Sequence, residues 1–243
     1  MQSNKKQAPK GYVLAEFPSL IDGKECVAIV TLESTNRKTG NMCQVWIMLR
    51  DINPVEAIEI GADYSICGDC IHRKNPETKK RSCYVNVGQS PNSIWKAYHR
   101  GCYPPALDNI EAVQKMLKGR SIRWGAYGDP ALIPFSVFEF FNRFAKAHTG
   151  YTHQWRQQFA QLYKKYFQAS CDGFNDYLEA TAHGWHTFSV LPVGAKNNSF
   201  GKQCPATIEQ SMAQCITCKL CDGGKQDIWV EAHGSGKKHV QLV

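Results

Sequence analysis

The chain of 243 residues is 43% hydrophobic and 21% charged, so it can bury a large core and is not a disordered polymer. Its formal charge of +8 makes a nucleic acid or a nucleotide a candidate partner, although a solvated basic surface explains the charge equally well. No apolar stretch reaches the roughly 18 residues of a membrane span, and the polar segment 1–10 lacks the apolar centre of a secretory signal. We expect a cytoplasmic protein that does not enter a membrane, with a flexible polar tail over 1–10 and a single domain over 11–243.

Two strands are predicted near the start of this domain. Segments 26–32 and 42–49 are apolar, and the turn-forming segment 34–41 (STNRKTGN) joins them. This pattern predicts an amino-terminal β-hairpin. A short helix is predicted over 54–60, after which the chain is irregular as far as residue 89.

The eleven cysteines are numerous for a cytoplasmic chain. In a reducing compartment such residues are metal ligands or buried thiols more often than disulfides. Cys26, Cys43 and Cys171 stand alone in apolar segments, which favours buried thiols. Two sets lie in the predicted metal-binding segments 66–84 and 204–221. We name as the first set Cys67, Cys70 and Cys83, and as the second set Cys204, Cys215, Cys218 and Cys221.

The first set supplies three thiols from an irregular stretch of chain. Three ligands with an open fourth position suit either an iron–sulphur cluster with one iron free or a zinc ion with a bound water. A fourth ligand would close the site and make it structural, and the candidates are Cys102, His72 and His99. The spacing of the first set leaves these alternatives open.

From residue 90 onward the pattern becomes regular. We predict helices over 94–100, 109–118 (with Asp108 as its cap), 135–147, 157–166 and 174–182, and strands over 122–127, 150–155, 169–171, 185–191 and 228–232. Strands that alternate with helices of about ten residues indicate βα units and a parallel sheet. The predicted class is therefore α/β, as a partial or distorted (β/α) barrel with the amino-terminal hairpin and irregular cysteine-rich loops. An open doubly wound sheet is the alternative.

Candidate cofactor-binding residues lie at two of these strands. Gly128 and Asp129 follow the strand 122–127, at the carboxyl end where ligands bind in βα barrels. The alternative is that they only terminate the strand. On the strand 150–155, Tyr151 and His153 are further candidates. His153 is predicted either as a ligand or proton donor, or as a hydrogen-bonded core histidine.

The second set has the more specific spacing. In Cys215-x2-Cys218-x2-Cys221, three thiolates at successive x2 spacings can wrap one compact cluster, as in bacterial ferredoxins. Cys204, which precedes a proline, would be the fourth ligand. Structural zinc sites usually pair two C-x2-C knuckles, or one knuckle with histidine. The run therefore favours a [4Fe–4S] cluster, with zinc as the alternative.

Several common motifs are absent or incomplete in the sequence. Segment 233–237 (HGSGK) resembles a phosphate loop but lacks the full G-x-x-x-x-G-K-[ST] pattern. The chain has no G-x-S-x-G elbow, no H-E-x-x-H helix and no G-x-G-x-x-G fingerprint. These absences argue against the common hydrolase, zinc protease and dinucleotide-binding classes.

Five segments, in their order along the chain, resemble a known family. They are 66–70 (ICGDC), 83–84 (CY), 122–129 (IR to GD), 150–152 (GYT) and 204–221 (CP to the C-x2-C-x2-C run). They look like the gene product 88-like group of bacteriophage proteins, which is in turn similar to trimmed radical-SAM barrels. The resemblance spans about 66–233 and does not cover the hairpin.

The resemblance implies a set of roles. The first set would hold a [4Fe–4S] cluster whose open iron binds S-adenosylmethionine, and the second set would hold an auxiliary cluster. Gly128 and Asp129 would lie where such barrels contact the methionyl amino group. The chain departs from the radical-SAM pattern because it has no C-x3-C-x2-C motif, since Cys83 lies far from Cys70.

Three functions follow from these observations. The first is a radical-SAM-like iron–sulphur enzyme acting on a nucleotide, a nucleic acid or a small metabolite, with a host redox partner as electron source. Trp124, Tyr127 and Tyr151 would line its pocket. The second is a non-catalytic protein, stabilised by iron–sulphur or zinc centres, that binds nucleic acid or a host protein. The third is a zinc-dependent nucleic-acid enzyme with a metal-bound water.

Overall fold

The apolar segments pair into two five-stranded sheets. The computed structural model describes residues 8–195 and 200–240. Residues 1–7 of the predicted tail lie outside this range. No helix in the described part of the chain has the length and apolar character needed to cross a membrane.

The first sheet contains the predicted hairpin. In spatial order its strands are β1 Gly11–Pro18, β2 Glu25–Thr31, β3 Cys43–Leu49, β4 Ser121–Tyr127 and β5 Ala147–Thr149. The β2–β3 pair is antiparallel, which confirms the hairpin, and β4 lies parallel to both β3 and β5. We did not predict β1, which pairs antiparallel with β2 at the edge of the sheet.

The second sheet consists of parallel pairs only. In spatial order its strands are β6 Tyr151–Thr152, β7 Gln168–Cys171, β8 Thr187–Leu191, β10 Ile228–Glu231 and β9 Lys202–Gln203. Gly150 alone separates β5 from β6, so the stretch 147–152 belongs to both sheets. A Cβ at Gly150 would lie 2.5 Å from the Phe167 ring, which explains why this junction has no side chain.

In the part of the chain that the structure describes, seven α-helices connect and cover the strands. They are α1 Pro54–Glu59, α2 Tyr64–Cys67, α3 Ser90–His99, α4 Ile110–Leu117, α5 Phe135–Asn142, α6 Phe174–Ala182 and α7 Cys215–Cys218. The prediction for α6 has the observed bounds. The predicted helix 135–147 ends earlier, because residues 147–149 pair with β4 as a strand.

Two further local predictions were wrong. The segment predicted as a helix over 157–166 forms 3-10 turns over Gln158–Tyr163. Asp108 does not cap α4, because it lies inside a preceding 3-10 turn, Leu107–Asn109. Both differences arise at short, irregular connections, where tertiary packing decides the backbone conformation.

The main core lies around the first sheet and α4 and α5, and a smaller one surrounds Trp155 and Trp185 against β7. Cys26, Cys43 and Cys171 are at most 1% exposed, so the prediction of three buried thiols is confirmed.

The predicted mixed α/β class is also confirmed. Within residues 8–195 and 200–240 the strands form two parallel-rich sheets, and no pairing between the outer strands β1 and β9 is found.

Candidate functional site

Both cysteine sets line one cavity of about 420 Å³, a volume typical of small-ligand pockets. Six of the seven thiols contribute to its wall: Cys67, Cys70, Cys83, Cys204, Cys215 and Cys221. Asp129, which follows β4, and His153, which follows β6, line the same cavity. The cavity therefore lies at the carboxyl ends of parallel strands, where binding residues converge in α/β proteins.

The loop of the first set is fixed by hydrogen bonds from neighbouring segments. Gly68 turns the chain after α2 with a φ of 54° and packs closely against the amide of Gln154. That amide donates to the carbonyl of Cys67 over 3.0 Å. The amide of Cys83 donates to the carbonyl of His72 over 3.0 Å. Burial raises the pKa of the Cys67 and Cys83 thiols, and the nearby Cys70 thiol raises both further.

The second set surrounds one space. Cys215 and Cys218 lie on the single turn of α7, and Lys219 then adopts a left-handed conformation with a φ of 55°. This reversal returns Cys221 toward α7, and all four thiols of the set line a second, much smaller cavity. Burial raises the pKa of Cys221, and the other three thiols of the set raise it further because they lie close by.

The predicted turn 34–41 supports the second set, although we had assigned it no chemistry. The first amides of α7, those of Cys215 and Ile216, donate to the carbonyls of Lys38 and Thr39 over 2.9 and 3.1 Å. The side chain of Gln214 donates to the carbonyl of Arg37 over 2.9 Å. The position of α7 thus depends on this turn.

No three thiols of either set lie within 4.8 Å of one another. Among the described residues, the one group of three or more His, Cys, Asp or Glu ligand atoms lying within 4.8 Å of one another is His72, His153 and Asp172. In a tetrahedral zinc site with Zn–S bonds of about 2.3 Å, the sulphurs lie about 3.8 Å apart. Neither cysteine set has three thiols at that spacing.

Arg123, on β4, is a cavity residue that the sequence analysis did not identify. Its side chain is buried, with the residue 7% exposed, and it donates to the Tyr84 hydroxyl over 2.5 Å. Its Nε has no hydrogen-bond partner. Burial raises the pKa of the Cys215 thiol to about 11, and the Arg123 cation opposes that rise. The guanidinium therefore favours the thiolate form that metal ligation requires.

Gly128 and Asp129 line the cavity as predicted, but Asp129 is engaged with the backbone. Its carboxylate accepts the amide of Ala131 over 3.0 Å and that of His153 over 2.8 Å, and its own amide donates to the carbonyl of Ile66 over 2.7 Å. Burial raises the pKa of Asp129, and the two amides limit the rise. These contacts agree with the alternative that Asp129 organises the end of β4.

Position 128 requires a glycine because the chain there lies too close to strand β3 for a side chain. Gly128 has a φ of 76°, and a Cβ there would lie 2.7 Å from the carbonyl oxygen of Ile47. The predicted cofactor-binding residue Tyr151 also lines the cavity, where its ring stacks on Phe188 at 4.1 Å.

His153 lies between the first set and the second sheet. Its Nε2 is 3.7 Å from Cys70 Sγ and 3.4 Å from Asp172 Oδ2. Burial alone would lower the pKa of His153, but the Cys70 thiol and the Asp172 carboxylate outweigh it and raise the pKa well above the usual value. We did not predict Asp172 as a site residue, although its position directly after β7 is a signal for one.

Some predicted site residues lie elsewhere. Cys102 is exposed, and His99 packs against Trp95 at 3.9 Å, so neither reaches the first set. Tyr127 lines the cavity, but Trp124 is fully buried in the core against Phe138, which corrects its assignment to the pocket wall.

The glycine segment 233–237 does not form a phosphate loop. A Cβ on Gly236 would lie 2.8 Å from the carbonyl oxygen of Arg81, and Gly234 packs on Tyr84. These glycines therefore allow close packing against the chain near Cys83 and leave no room for an anion between the two segments.

A half-buried histidine beside the second set is expected to make stability depend on pH. Trp124 donates to the Asn142 oxygen, which turns the Asn142 amide toward His148 Nδ1. His148 Nε2 lies 3.0 Å from the Tyr166 carbonyl and 3.2 Å from the Asp222 carbonyl, and donates to them in the neutral ring. Burial lowers the pKa of His148 despite these carbonyls.

We expect the stability of the fold to decrease as the pH falls below about 6.5, the unfolded value of histidine. Below that pH the unfolded chain binds a proton more readily than the folded chain, so protons favour unfolding. Urea unfolding midpoints near pH 7.5 and pH 5.5 measure the effect, and His148→Gln should reduce the difference between them. An unchanged difference in that variant would show that other groups cause it.

Comparisons of the chain with protein-family models, with curated proteins and with solved structures give no match. The resemblance to the bacteriophage family therefore remains a prediction.

Proposed function

We propose that the protein is an iron–sulphur enzyme with two cysteine-ligated centres and one substrate cavity between them. The second set would hold a complete [4Fe–4S] cluster, and the first set a cluster with one open iron. The observation that carries this proposal is that both sets line the same cavity. A metal that only stabilised the fold would not need to face a ligand-sized space.

The donor chemistry supports iron–sulphur centres over zinc. Both sets offer sulphur, and neither has three thiols within 4.8 Å of one another. A cluster binds each thiolate through a different iron atom and so accepts the wider spacing. In the second set, the Arg123 cation offsets part of the thiolate charge.

The open position of the first set would face the cavity. Cys102 and His99 do not reach it, and His72 is turned to Ser82 and Asp172, which leaves three thiols and a place for a ligand. When bound there, such a cluster supplies single electrons to a ligand at its open iron. S-adenosylmethionine is the ligand that we propose for this position.

The substrate that we propose is a small anion, such as a nucleotide. Arg123, Arg81 and Lys38 line the cavity, and the Nε of Arg123 has no hydrogen-bond partner among the described residues. The rings of Tyr84 and Tyr151 form part of the wall and can stack on a base. The shared stretch 147–152 would make the two sheets consecutive parts of a partial barrel.

Anaerobic purification followed by iron and sulphide analysis tests the proposal. We expect a brown protein with about eight irons per chain, four for each cluster. With a strong reductant and S-adenosylmethionine, it should release 5′-deoxyadenosine. Cys83→Ala should abolish this product but retain the second cluster, whereas the exposed Cys102→Ala should behave as the unchanged protein.

Two outcomes would contradict the enzyme proposal. A colourless protein that contains only zinc would exclude both clusters. A brown protein that gives no product would favour the non-catalytic alternative, especially if it binds DNA with an affinity that falls steeply with salt.

A further inference from the structure

Three side chains outside the two cysteine sets converge on one point at the cavity wall. His153 and Asp172 follow β6 and β7, which are parallel neighbours, so both residues lie at the same sheet edge. His72 reaches them from the loop of the first set. Its Nε2 is 3.0 Å from Asp172 Oδ1, and His153 Nε2 is 3.4 Å from Asp172 Oδ2.

The contact between His72 and Asp172 lacks hydrogen-bond geometry. His72 Nε2 and Asp172 Oδ1 are buried and 3.0 Å apart, yet neither atom has a hydrogen-bond partner, because the ring and the carboxylate are not aligned for donation. Asp172 and His72 are only 7% and 9% exposed. Buried polar atoms without partners are costly and require an explanation.

A bound metal ion explains the distances and the orientation together. With metal–nitrogen and metal–oxygen bonds of about 2.0–2.2 Å, ligand atoms lie roughly 3.0–3.5 Å apart and point at the ion instead of at each other. The other ring nitrogen of His72, Nδ1, contacts Ser82 Oγ at 2.8 Å. Metal-binding histidines commonly have such a partner, which fixes the ring and leaves Nε2 for the metal.

We propose that His72, His153 and Asp172 bind one divalent transition-metal ion, separate from the cysteine centres. Two imidazoles and one carboxylate form a donor set that suits iron(II), zinc or manganese and leaves coordination positions open. His72 and His153 line the cavity, so those positions face it. The ion would bind and polarise an oxygen of the substrate or of a water molecule.

The site does not depend on the iron–sulphur proposal. None of its three ligands is a cysteine, and the nearest thiol, Cys70, is 3.7 Å from His153 Nε2. A substrate bound in the cavity would contact this ion at the wall that the first set also lines. An enzyme without iron–sulphur clusters would keep this site.

Manganese(II) is a selective probe because carboxylate and imidazole accept it, whereas soft thiolates prefer other metals. We would add it to the full-length protein under anaerobic conditions and follow the loss of the free-ion EPR signal. One bound equivalent is expected, with nitrogen couplings from two imidazoles in pulsed EPR. Asp172→Asn and His153→Gln should each weaken binding at least about tenfold.

The matched control is His186→Gln, since His186 forms a more exposed pair with Asp227 at 3.3 Å. It should bind manganese like the unchanged protein. If the ligand variants fail to fold, the pulsed EPR spectrum of the unchanged protein still shows whether the bound manganese has nitrogen ligands. Absence of binding, or a bound ion without nitrogen couplings, would overturn the proposal.

Discussion

Replacing Cys218 by alanine is expected to remove the second cluster and to destabilise the protein by about 4 kcal/mol or more, the range reached when a protein loses a metal site. Cys218 lines the small space of the second set but not the larger cavity. Of the segment 204–221, only Cys221 is buried. A segment with so few buried side chains depends on its metal for stability, because metal binding and folding are coupled.

Iron analysis and urea unfolding measure this effect, and about half of the iron should be lost. The turn 34–41 should loosen as well, because it binds α7 through the carbonyls of Lys38 and Thr39. Trypsin should then cut faster after Arg37 and Lys38, which are exposed. Cys102→Ala is the control. Full iron content in the Cys218 variant would show that the second set is not a four-thiolate site.

The parts of the fold that were predicted correctly carry strong local signals. The strands β2 and β3 are apolar and joined by a polar turn, and α6 begins directly after Gly173 and ends two residues before Gly184. The short strands β5 and β9 were missed because two or three residues have no periodicity. Their pairing is decided by neighbouring strands that are distant in sequence.

The residues of the candidate site were likewise predicted only where the sequence carries a local signal. The spacing of the cysteines identifies both sets, because their ligands lie close together along the chain. Arg123 and Asp172 were missed because their importance depends on which strands become neighbours. The carbonyls of Lys38 and Thr39 cannot be recognised in a sequence, since every residue has one. Tertiary structure also separated Trp124 from the cavity and placed His72 beside Asp172.

Asp129→Ala is expected to destabilise the protein by about 3 kcal/mol or more, because each buried N–H left without a partner costs about 1–3 kcal/mol. The carboxylate accepts two such groups, the amides of Ala131 and His153. His153 would lose the contact that fixes its backbone at the cavity. Urea unfolding measures the loss of stability, and the imidazole NMR signals of His153 report its displacement.

The conservative change Asp129→Asn separates the hydrogen bonds from the charge. Burial raises the pKa of Asp129, so the ionised carboxylate carries a desolvation cost that its hydrogen bonds do not fully offset. Asparagine avoids that cost and keeps one acceptor oxygen, and its loss of stability should therefore be smaller than that of alanine. The exposed Asp108→Ala should change the free energy of unfolding by no more than about 0.5 kcal/mol. Equal losses for Asp129→Ala and Asp108→Ala would mean that Asp129 does not hold the end of β4 and His153 in place.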